Sequence, residues 1–393
     1  MKKILSVLLV AVLLATVYFC FFDGYQPENK DGEKLREQIE SNSSLYPVYS
    51  RLSQEEKEVY LKICTGLRNF DAGIQDVYRC DSQSEANQFT RNLSNLYREI
   101  VYEQAELFWV DPYNFQVQTT KSGSGTYFIK ILPEYLMDRE TAQKMQTKFD
   151  RQLDKLVSGA KQKGDTFQKV LYVHDQLLSN CVYDQDAYEK GDFKTTSINA
   201  YGCLVEGKAI CSGYTMAFTA AMRRLGYECG AEFNTYDSFT IFGEAHVWNY
   251  CKLDGDYYYF DLTWDDVSPN SDVAKYYDYC YSYFGVTTEE LTEAHLTLSG
   301  KAPTPHCGGT RYNYFVYNGL SFDTYDYDAV KEALQSCKDE KYAAIRFGSY
   351  SQTLRAQGEL LTDGKIFDIL PDVEHVQYYI SKSNHILYIL FKE

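Results

Sequence analysis

Several patterns that mark common classes of functional site are missing from this sequence of 393 residues. It contains no C-x-x-C pair, so a zinc knuckle and a thioredoxin-like redox motif are unsupported. The six histidines are scattered without H-x-x-x-H spacing, and no glycine-rich phosphate loop follows a strand. Internal repeats and low-complexity tracts are also missing. The sequence therefore predicts no metal site, no nucleotide site and no cofactor.

Positive charge is scarce. Lys and Arg number 39 against 55 Asp and Glu, which gives a formal net charge of -16. This balance argues against nucleic acid as a partner, and against a polybasic attachment to anionic lipid. It mildly favours cationic partners such as Lys-rich proteins, although solubility explains it equally well. Apolar residues make up 45% of the chain, enough to bury a sizeable core.

The N-terminus has the features of an export segment. Lys2 and Lys3 precede an uncharged stretch over residues 4–22, and a polar, acidic segment follows. The stretch is also long enough to span a bilayer as a helix. A lipoprotein signal is disfavoured, because Phe19 precedes Cys20 where a small residue is needed. We expect an extracytoplasmic protein, either anchored by this helix (residues 1–22) or secreted after its cleavage.

Helical periodicity dominates the next part of the chain. A polar linker is predicted over residues 23–44, and an α-rich module over residues 45–160. Ser53 to Glu56 reads as a capping box that opens a helix, and further helical faces surround Leu93 and Leu153. Residues 108–132 instead form short extended runs, broken by a Ser-Gly-Ser-Gly turn.

A longer apolar helical face follows over residues 165–181. His174 lies on this face, and no acidic residue stands at metal or dyad spacing beside it. His174 is therefore interpreted as a core or interface histidine rather than a catalytic one. Its neighbour Asp175 is expected to point elsewhere on the helix.

A small α+β unit is predicted after Pro303, over residues 303–393. Asn318-Gly319 between two apolar runs is a type I′ hairpin signal. A helix over 326–337 and strands over 342–347 and 386–391 follow.

Cys211 stands at a predicted helix start. The segment before it leads directly into a helix over residues 215–225, which ends at Gly226. Free N–H groups and the positive dipole end at a helix N-terminus stabilise a thiolate and can receive an oxyanion. Gly213 would let backbone or substrate approach closely. The alternative is a buried structural cysteine.

A β-hairpin is predicted further along. Residues 245–253 have strand character, Asp254-Gly255 is a two-residue turn signal, and residues 256–264 form the return strand. With this turn, Leu253 pairs with Asp256.

The hairpin register places two polar side chains on one face. His246 falls opposite Thr263, and Asp261 falls opposite Trp248, so His246 and Asp261 are diagonal neighbours. Their backbones are then roughly 7–8 Å apart, a gap that an imidazole can bridge to a carboxylate. This geometry lets an aspartate orient a catalytic histidine. The alternative is a surface histidine near an unrelated aspartate.

These segments resemble the transglutaminase-like superfamily, a circularly permuted relative of papain-type enzymes. The matching pieces, in the order of the family, are Gly202 to Tyr214, His246 to Asn249, and Asp261 to Asp265. Cys211 and His246 are 35 positions apart, and His246 and Asp261 are 15 apart. The resemblance covers about residues 165–266.

The resemblance implies a role for each matching residue. Cys211 would be the nucleophile, His246 the general base and acid, and Asp261 the orienting carboxylate. The family attacks an amide carbonyl, usually of Gln, to form a thioester, which a Lys amine or water then resolves. Protein or peptide substrates are therefore implied. A second oxyanion donor is also implied, for which Tyr201 and Trp248 are candidates. No D-x-D-x-D-G pattern occurs, so calcium dependence is not expected.

The fold class implied is α+β, with a transglutaminase-like (permuted papain-like) core over residues 161–302 between the α-rich module and the small C-terminal domain. A cysteine peptidase or amidase of the same fold stays open, because it needs the same three residues. A catalytically inactive surface binding module is the third alternative, since 37 tyrosines and large flanking regions suit binding. The eleven cysteines leave disulfide connectivity open.

Overall fold

The computed structural model describes residues 30–191, 193–234, 246–267, 280–294, 304–340 and 342–392. The predicted export segment, residues 1–22, lies outside these ranges. None of the helices in the described ranges has the length and apolar character required to cross a bilayer. Residues up to Asn42 belong to one compact unit, and residues from Ser43 onward form a second. The domain boundaries predicted within the second unit stay predictions.

The first unit contributes one described helix, α1 (Lys30–Ser41). Leu35 and Ile39 are buried in it at i, i+4 spacing. The segment predicted as a polar linker therefore contains an amphipathic helix.

The second unit opens with the predicted helical and extended elements. Its helices are α2 (Pro47–Arg51), α3 (Gln54–Arg68), α4 (Gln83–Glu103) and α5 (Arg139–Lys161). The predicted capping box is confirmed: Ser53 and Glu56 cap α3 reciprocally. The strands β1 (Ile74–Cys80), β2 (Val110–Lys121) and β3 (Tyr127–Tyr135) form an antiparallel sheet in the order β1-β3-β2. The α-rich module thus carries a β-hairpin that extends from the buried end of α4.

The central part holds one long buried helix against a sheet. Its helices are α6 (Thr166–Asn180), α7 (Gln185–Lys190), α8 (Cys211–Leu225), α9 (Leu262–Asp265) and α10 (Thr288–Ala294). Two short strands, β4 (Val182–Tyr183) and β5 (Lys208–Ala209), pair in parallel. Among the described residues an antiparallel sheet follows the order of the chain, with strands β6 (Cys229–Phe233), β7 (Val247–Leu253), β8 (Asp256–Phe260) and β9 (Phe284–Val286). Helix α8 packs on β6 and β7.

The C-terminal part contains the predicted small α+β arrangement. Its helices are α11 (Tyr314–Tyr317), α12 (Tyr327–Ser336), α13 (Tyr350–Gln357) and α14 (Ile366–Ile369). Its strands are β10 (Ser321–Phe322), β11 (Tyr342–Phe347), β12 (His375–Ser381) and β13 (Ile386–Lys392), in the described sheet order β10-β11-β13-β12. Aliphatic residues of β11, β13 and the helices form its core.

The hairpin predicted at Asn318-Gly319 is wrong. Asn313 caps the short helix α11 by accepting hydrogen bonds from the N–H groups of Phe315 and Val316. Gly319, with φ of 69°, follows the helix in the left-handed conformation that ends helices. The strand β10 then pairs in parallel with β11. An Asn-Gly pair suits a helix end as well as a hairpin turn, and the capping by Asn313 selects the helix.

Candidate active site

The nucleophile candidate Cys211 is the first residue of α8, four positions earlier than the predicted helix start. Ile210 precedes it in the N-cap position with extended backbone, and an isoleucine side chain cannot cap the helix. Helix N-termini leave N–H groups without intrahelical partners. The sulfur is therefore held where the helix dipole and the first-turn amides favour negative charge. Cys211 is largely buried, with 8% exposure.

Gly213 allows α8 to pack closely on the segment that precedes it. A Cβ added there would lie 2.7 Å from the Ser197 carbonyl oxygen, 2.8 Å from the Ala209 Cβ and 3.0 Å from the Asn199 carbonyl oxygen. The close approach that the sequence predicts at Gly213 is therefore that of neighbouring backbone. This packing fixes the direction in which the first turn of α8 faces.

The β7–β8 hairpin has the predicted register. Leu253 pairs with Asp256, and the pairing continues to Asn249 opposite Phe260. The return strand ends there, because Asp261 becomes the N-cap of the one-turn helix α9. The predicted pairs beyond Phe260 therefore do not form.

His246 and Asp261 nevertheless meet. His246 Nε2 donates to Asp261 Oδ2 at 2.7 Å. The other carboxylate oxygen of Asp261 accepts from the N–H of Trp264 at 3.2 Å, which caps α9. One buried carboxylate thus starts a helix and holds the imidazole, and the cap fixes its orientation.

Cys211 and His246 are hydrogen-bonding partners. Because Nε2 is engaged by Asp261, Nδ1 is the ring nitrogen left for the sulfur. Burial lowers the pKa of His246, but the charge and hydrogen bond of Asp261, together with Cys211, outweigh it and raise this pKa to about 10. The three residues named from the sequence are therefore connected in the order sulfur, imidazole, carboxylate.

Two tryptophans flank the imidazole. The ring of Trp248 stacks on His246 at 5.7 Å between centroids, and Trp264 meets it edge-on at 6.1 Å. Trp248 is buried, whereas the side chain of Trp264 is 48% exposed. Trp248, proposed from the sequence as an oxyanion candidate, thus contacts His246. No sequence pattern assigned a role to Trp264, although it stands three residues after Asp261.

Three tyrosines, Tyr102, Tyr113 and Tyr183, lie near enough to Cys211 for its charge to raise their pKa values, and no sequence pattern pointed to them. Tyr113 and Tyr102 share a hydrogen bond of 2.8 Å between their hydroxyls. Burial and the nearby Cys211 raise the pKa of Tyr113 to about 12. Tyr183, on β4, also has its pKa raised by burial and then by Cys211. These tyrosines stand far from Cys211 in the sequence. Only Tyr183 has a structural link to the segment before Cys211, because its strand β4 pairs with β5.

The other oxyanion candidate, Tyr201, packs elsewhere. The centroid of its ring lies 5.0 Å from that of Phe108. Burial and, to a smaller extent, the charge of Glu206 raise the pKa of its hydroxyl. It stands immediately before a π-helical segment, Gly202–Glu206, that leads to β5.

His174 is buried, as interpreted from the sequence, but it has acidic partners. Its Nε2 lies 3.2 Å from Asp265 Oδ2, and its Nδ1 lies 3.0 Å from Asp175 Oδ1. The expectation that Asp175 points elsewhere is wrong, because the carboxylate folds back on the neighbouring ring. Asp265 was out of reach of sequence reasoning, since it lies 91 residues away.

The ten cysteines in the described ranges are free thiols. Two pairs are neighbours: Cys229 stands opposite Cys251 across β6 and β7, and Cys181 contacts Cys203. Within the same ranges, no group of three or more His, Cys, Asp or Glu residues is arranged to hold a metal ion.

Comparison with known proteins identifies one domain. Residues 152–262 match the sequence model of the transglutaminase-like superfamily. A crystal structure of a TGase is 13% identical over 49% of this chain and 51% of its own, with a TM-score of 0.26. A candidate cysteine protease from Cytophaga hutchinsonii is 16% identical over 39% of this chain and 63% of its own, with a TM-score of 0.24. This chain thus spans less than two thirds of either. No curated protein matches the sequence.

Proposed function

Residues 152–262 of this chain form a transglutaminase-like domain, and from this premise we propose that the protein is a cysteine enzyme that forms a thioester from protein or peptide amides. The observation that carries the proposal is the contact of Cys211, at the start of α8, with His246, which Asp261 holds at 2.7 Å. A buried structural cysteine does not require an oriented imidazole.

The first step is attack by sulfur. The imidazole of His246 takes the thiol proton, and the Cys211 thiolate adds to the carbonyl carbon of the amide. The imidazolium, stabilised by the Asp261 carboxylate, then gives that proton to the leaving nitrogen as the C–N bond breaks. Ammonia leaves when the donor is a Gln side chain, and an amine leaves when it is a peptide bond. The acyl group stays on sulfur as a thioester.

The oxyanion formed during attack needs hydrogen-bond donors. The backbone N–H of Cys211 is one, because it lies at the helix start. We assign Tyr113 as the second. Its raised pKa keeps the phenol protonated at neutral pH, and its hydrogen bond to Tyr102 orients it beside the sulfur.

The second step resolves the thioester. An amine or a water molecule gives a proton to His246 and attacks the acyl carbon; the C–S bond then breaks, and the departing sulfur takes that proton from the imidazolium, which regenerates the Cys211 thiol and the neutral ring. Water in bulk is present at tens of molar, so transfer to an amine requires an acceptor site that excludes it. The same residues serve both outcomes, and the acceptor distinguishes a transglutaminase from a peptidase or amidase.

The deciding experiment uses a Gln-bearing protein and a fluorescent primary amine. We expect covalent incorporation of the amine by the wild type and none by Cys211→Ala. A matched control is Cys337→Ala, which removes a partly exposed thiol of the C-terminal part. Peptide or amide cleavage without incorporation would assign hydrolysis. Equal activity of Cys211→Ala and wild type would reject the proposal and favour a binding module.

We also propose that the protein acts outside the cytoplasm. The basic and apolar pattern of residues 2–22 supports this. N-terminal sequencing of the protein purified from membrane and external fractions tests it. Recovery of the uncleaved chain in the soluble cytoplasmic fraction would contradict it.

A further inference from the structure

A second imidazole–carboxylate pair lies next to the candidate triad, with its carboxylate on the helix that Asp261 caps. His174 on α6 and Asp265 on α9 are in contact at 3.2 Å, with side-chain exposures of 1% and 0%. Neither residue takes part in the chemistry proposed above. Their burial and their mutual contact therefore call for a separate explanation.

The pair is best described as an ion pair. Both nitrogens of His174 lie against carboxylate oxygens, Nε2 against Asp265 and Nδ1 against Asp175. Burial raises the pKa of Asp265, and the hydrogen bond and charge of His174 oppose that rise. Ionised carboxylates only accept hydrogen bonds, so with both partners ionised the two nitrogens of His174 carry protons and the ring is positively charged. Burial lowers the pKa of His174, but the hydrogen bonds and charges of Asp175 and Asp265 outweigh it and raise this pKa to about 9. The ring of Tyr281 also lies against the imidazole, at 5.4 Å.

Asp265 is tied to the triad carboxylate through two routes. Along α9, the N–H of Asp265 donates to the carbonyl oxygen of Asp261 at 3.1 Å. Through Tyr283, the N–H of that residue donates to Asp265 Oδ1 at 2.9 Å, and its carbonyl oxygen accepts from the N–H of Asp261 at 3.2 Å. One residue's backbone thus bridges both aspartates. The thiol of Cys280 also donates to Asp265 Oδ1, at 3.5 Å.

These contacts lie on the turn that presents Asp261. Helix α9 has only four residues, and short isolated helices are unstable without tertiary contacts. Asp261 Oδ1 caps that helix, while Oδ2 receives His246. Contacts that hold Asp265, at the C-terminal end of α9, therefore also fix the carboxylate of Asp261 at its N-terminal end.

We propose that the His174–Asp265 ion pair positions Asp261, and through it His246, so that His174 is a positioning residue for the reaction at Cys211. This inference rests on the proposed function. A buried ion pair generally adds little net stability compared with apolar replacements, but it fixes geometry where its hydrogen bonds are complete. Here the fixed geometry is the orientation of the triad carboxylate.

The test measures how the rate of Cys211 alkylation by iodoacetamide depends on pH. This readout needs no amide substrate, so it separates a failure of this inference from a failure of the proposed function. Without a well-placed Asp261, the imidazolium of His246 is less stable, so alkylation of the sulfur requires a higher pH. We expect Asp265→Asn and His174→Gln to move the alkylation midpoint to higher pH. Amide turnover is expected to fall about tenfold with little change in KM, the low end of the effect of removing a hydrogen-bonding partner that orients a functional side chain.

The matched control is Arg346→Gln. Arg346 on β11 donates to Glu290 at 2.5 Å in another partly buried ion pair, which makes no hydrogen bond to α9 in the described ranges. We expect wild-type alkylation from this variant. If its profile moves as far as that of Asp265→Asn, the effect is general destabilisation and the proposal is overturned.

Asp175→Asn keeps the proposal testable if the buried variants do not fold. The side chain of Asp175 is 27% exposed and touches the same imidazole from the solvent side. We expect a smaller shift of the alkylation midpoint in the same direction. A folded Asp175→Asn with the wild-type midpoint, or folded His174→Gln and Asp265→Asn with that midpoint, would overturn the proposal.

Discussion

Asp261 and His246 stand 15 residues apart and face each other across the open end of a hairpin, with Oδ2 and Nε2 separated by 2.7 Å. The carboxylate reaches the ring only because the return strand stops at Phe260 and turns into α9. A continued strand would have left Asp261 a diagonal neighbour, with its backbone roughly 7–8 Å from that of His246. Because the strand ends at Phe260, the side chains of Asp261 and His246 come closer together than the strand register alone would bring them.

Asp261→Asn tests the charge at this contact. An asparagine still accepts from the Trp264 N–H, so α9 keeps its cap. It cannot stabilise an imidazolium, and we expect kcat/KM for amine incorporation to fall roughly 10²- to 10⁴-fold. The thermal midpoint is measured alongside. Unchanged turnover in a folded variant would remove Asp261 from the proposed mechanism.

Tyr113→Phe tests the second oxyanion donor. The ring still packs, but the hydroxyl beside Cys211 is lost, and we expect kcat to fall roughly 10²-fold with little change in KM. Tyr201→Phe is the matched comparison, because its ring packs on Phe108. The assignment of Tyr113 fails if the loss of activity follows Tyr201 instead.

The two raised histidine pKa values predict a pH dependence of stability. Buried His174 and His246 have folded-state pKa values of about 9 and about 10, because carboxylate partners outweigh burial, against 6.5 for an unfolded histidine. Their contribution is complete below pH 6.5 and is lost as the pH rises through the folded values.

Denaturant unfolding at a series of pH values measures this. We expect His174 to lower the free energy of unfolding by up to about 1.4 kcal/mol per pH unit between pH 6.5 and 9. The proton on His246 comes from the Cys211 thiol, so this ring adds to the slope only above about pH 8.5, where an unfolded thiol ionises. His174→Gln is expected to flatten the slope. A free energy that rises over this window would contradict the ion-pair description.

Thiol labelling of the folded protein has a predicted order. Cys211 lies beside an imidazole, so we expect it to react first with iodoacetamide near neutral pH. Burial raises the pKa of Cys64 to about 12, and Cys251 is also buried with a raised pKa. Both require unfolding before they react. Peptide mapping after limited labelling reads the order, and preferential labelling of Cys64 would contradict it.

Gly213→Ala tests the packing of α8. The new Cβ would lie within 3.0 Å of three atoms, among them the Ser197 carbonyl oxygen. We expect a loss of about 1–3 kcal/mol in the free energy of unfolding. Gly123→Ala is the control, since nothing lies within 4 Å of its Cβ position, and we expect a change within about 0.5 kcal/mol. Equal effects at both glycines would show that close packing at Gly213 is unimportant.

Local sequence patterns correctly predicted the register of the hairpin and the position of Cys211 at a helix start. Asp254-Gly255 fixes which residues pair, and strand alternation then places side chains. The same rules failed at Asn318-Gly319, where the left-handed glycine ends α11 rather than turning a hairpin. A dipeptide that suits two structures is resolved only by its neighbours, here the cap at Asn313.

Contacts between distant segments were beyond sequence reasoning. Tyr113 lies 98 positions before Cys211, and Asp265 lies 91 positions after His174. No periodicity links such pairs, because they meet only when helices and sheets pack. The tyrosines around the sulfur and the second ion pair therefore emerge from the fold alone.

The hydroxyl pair of Tyr102 and Tyr113 comes from α4 and β2, upstream of the domain that residues 152–262 form. The surroundings of Cys211 are consequently a joint property of both parts of the chain. A tether or partner that pulled α4 and β2 away would remove both hydroxyls from the neighbourhood of the sulfur while leaving the thiol and imidazole in place.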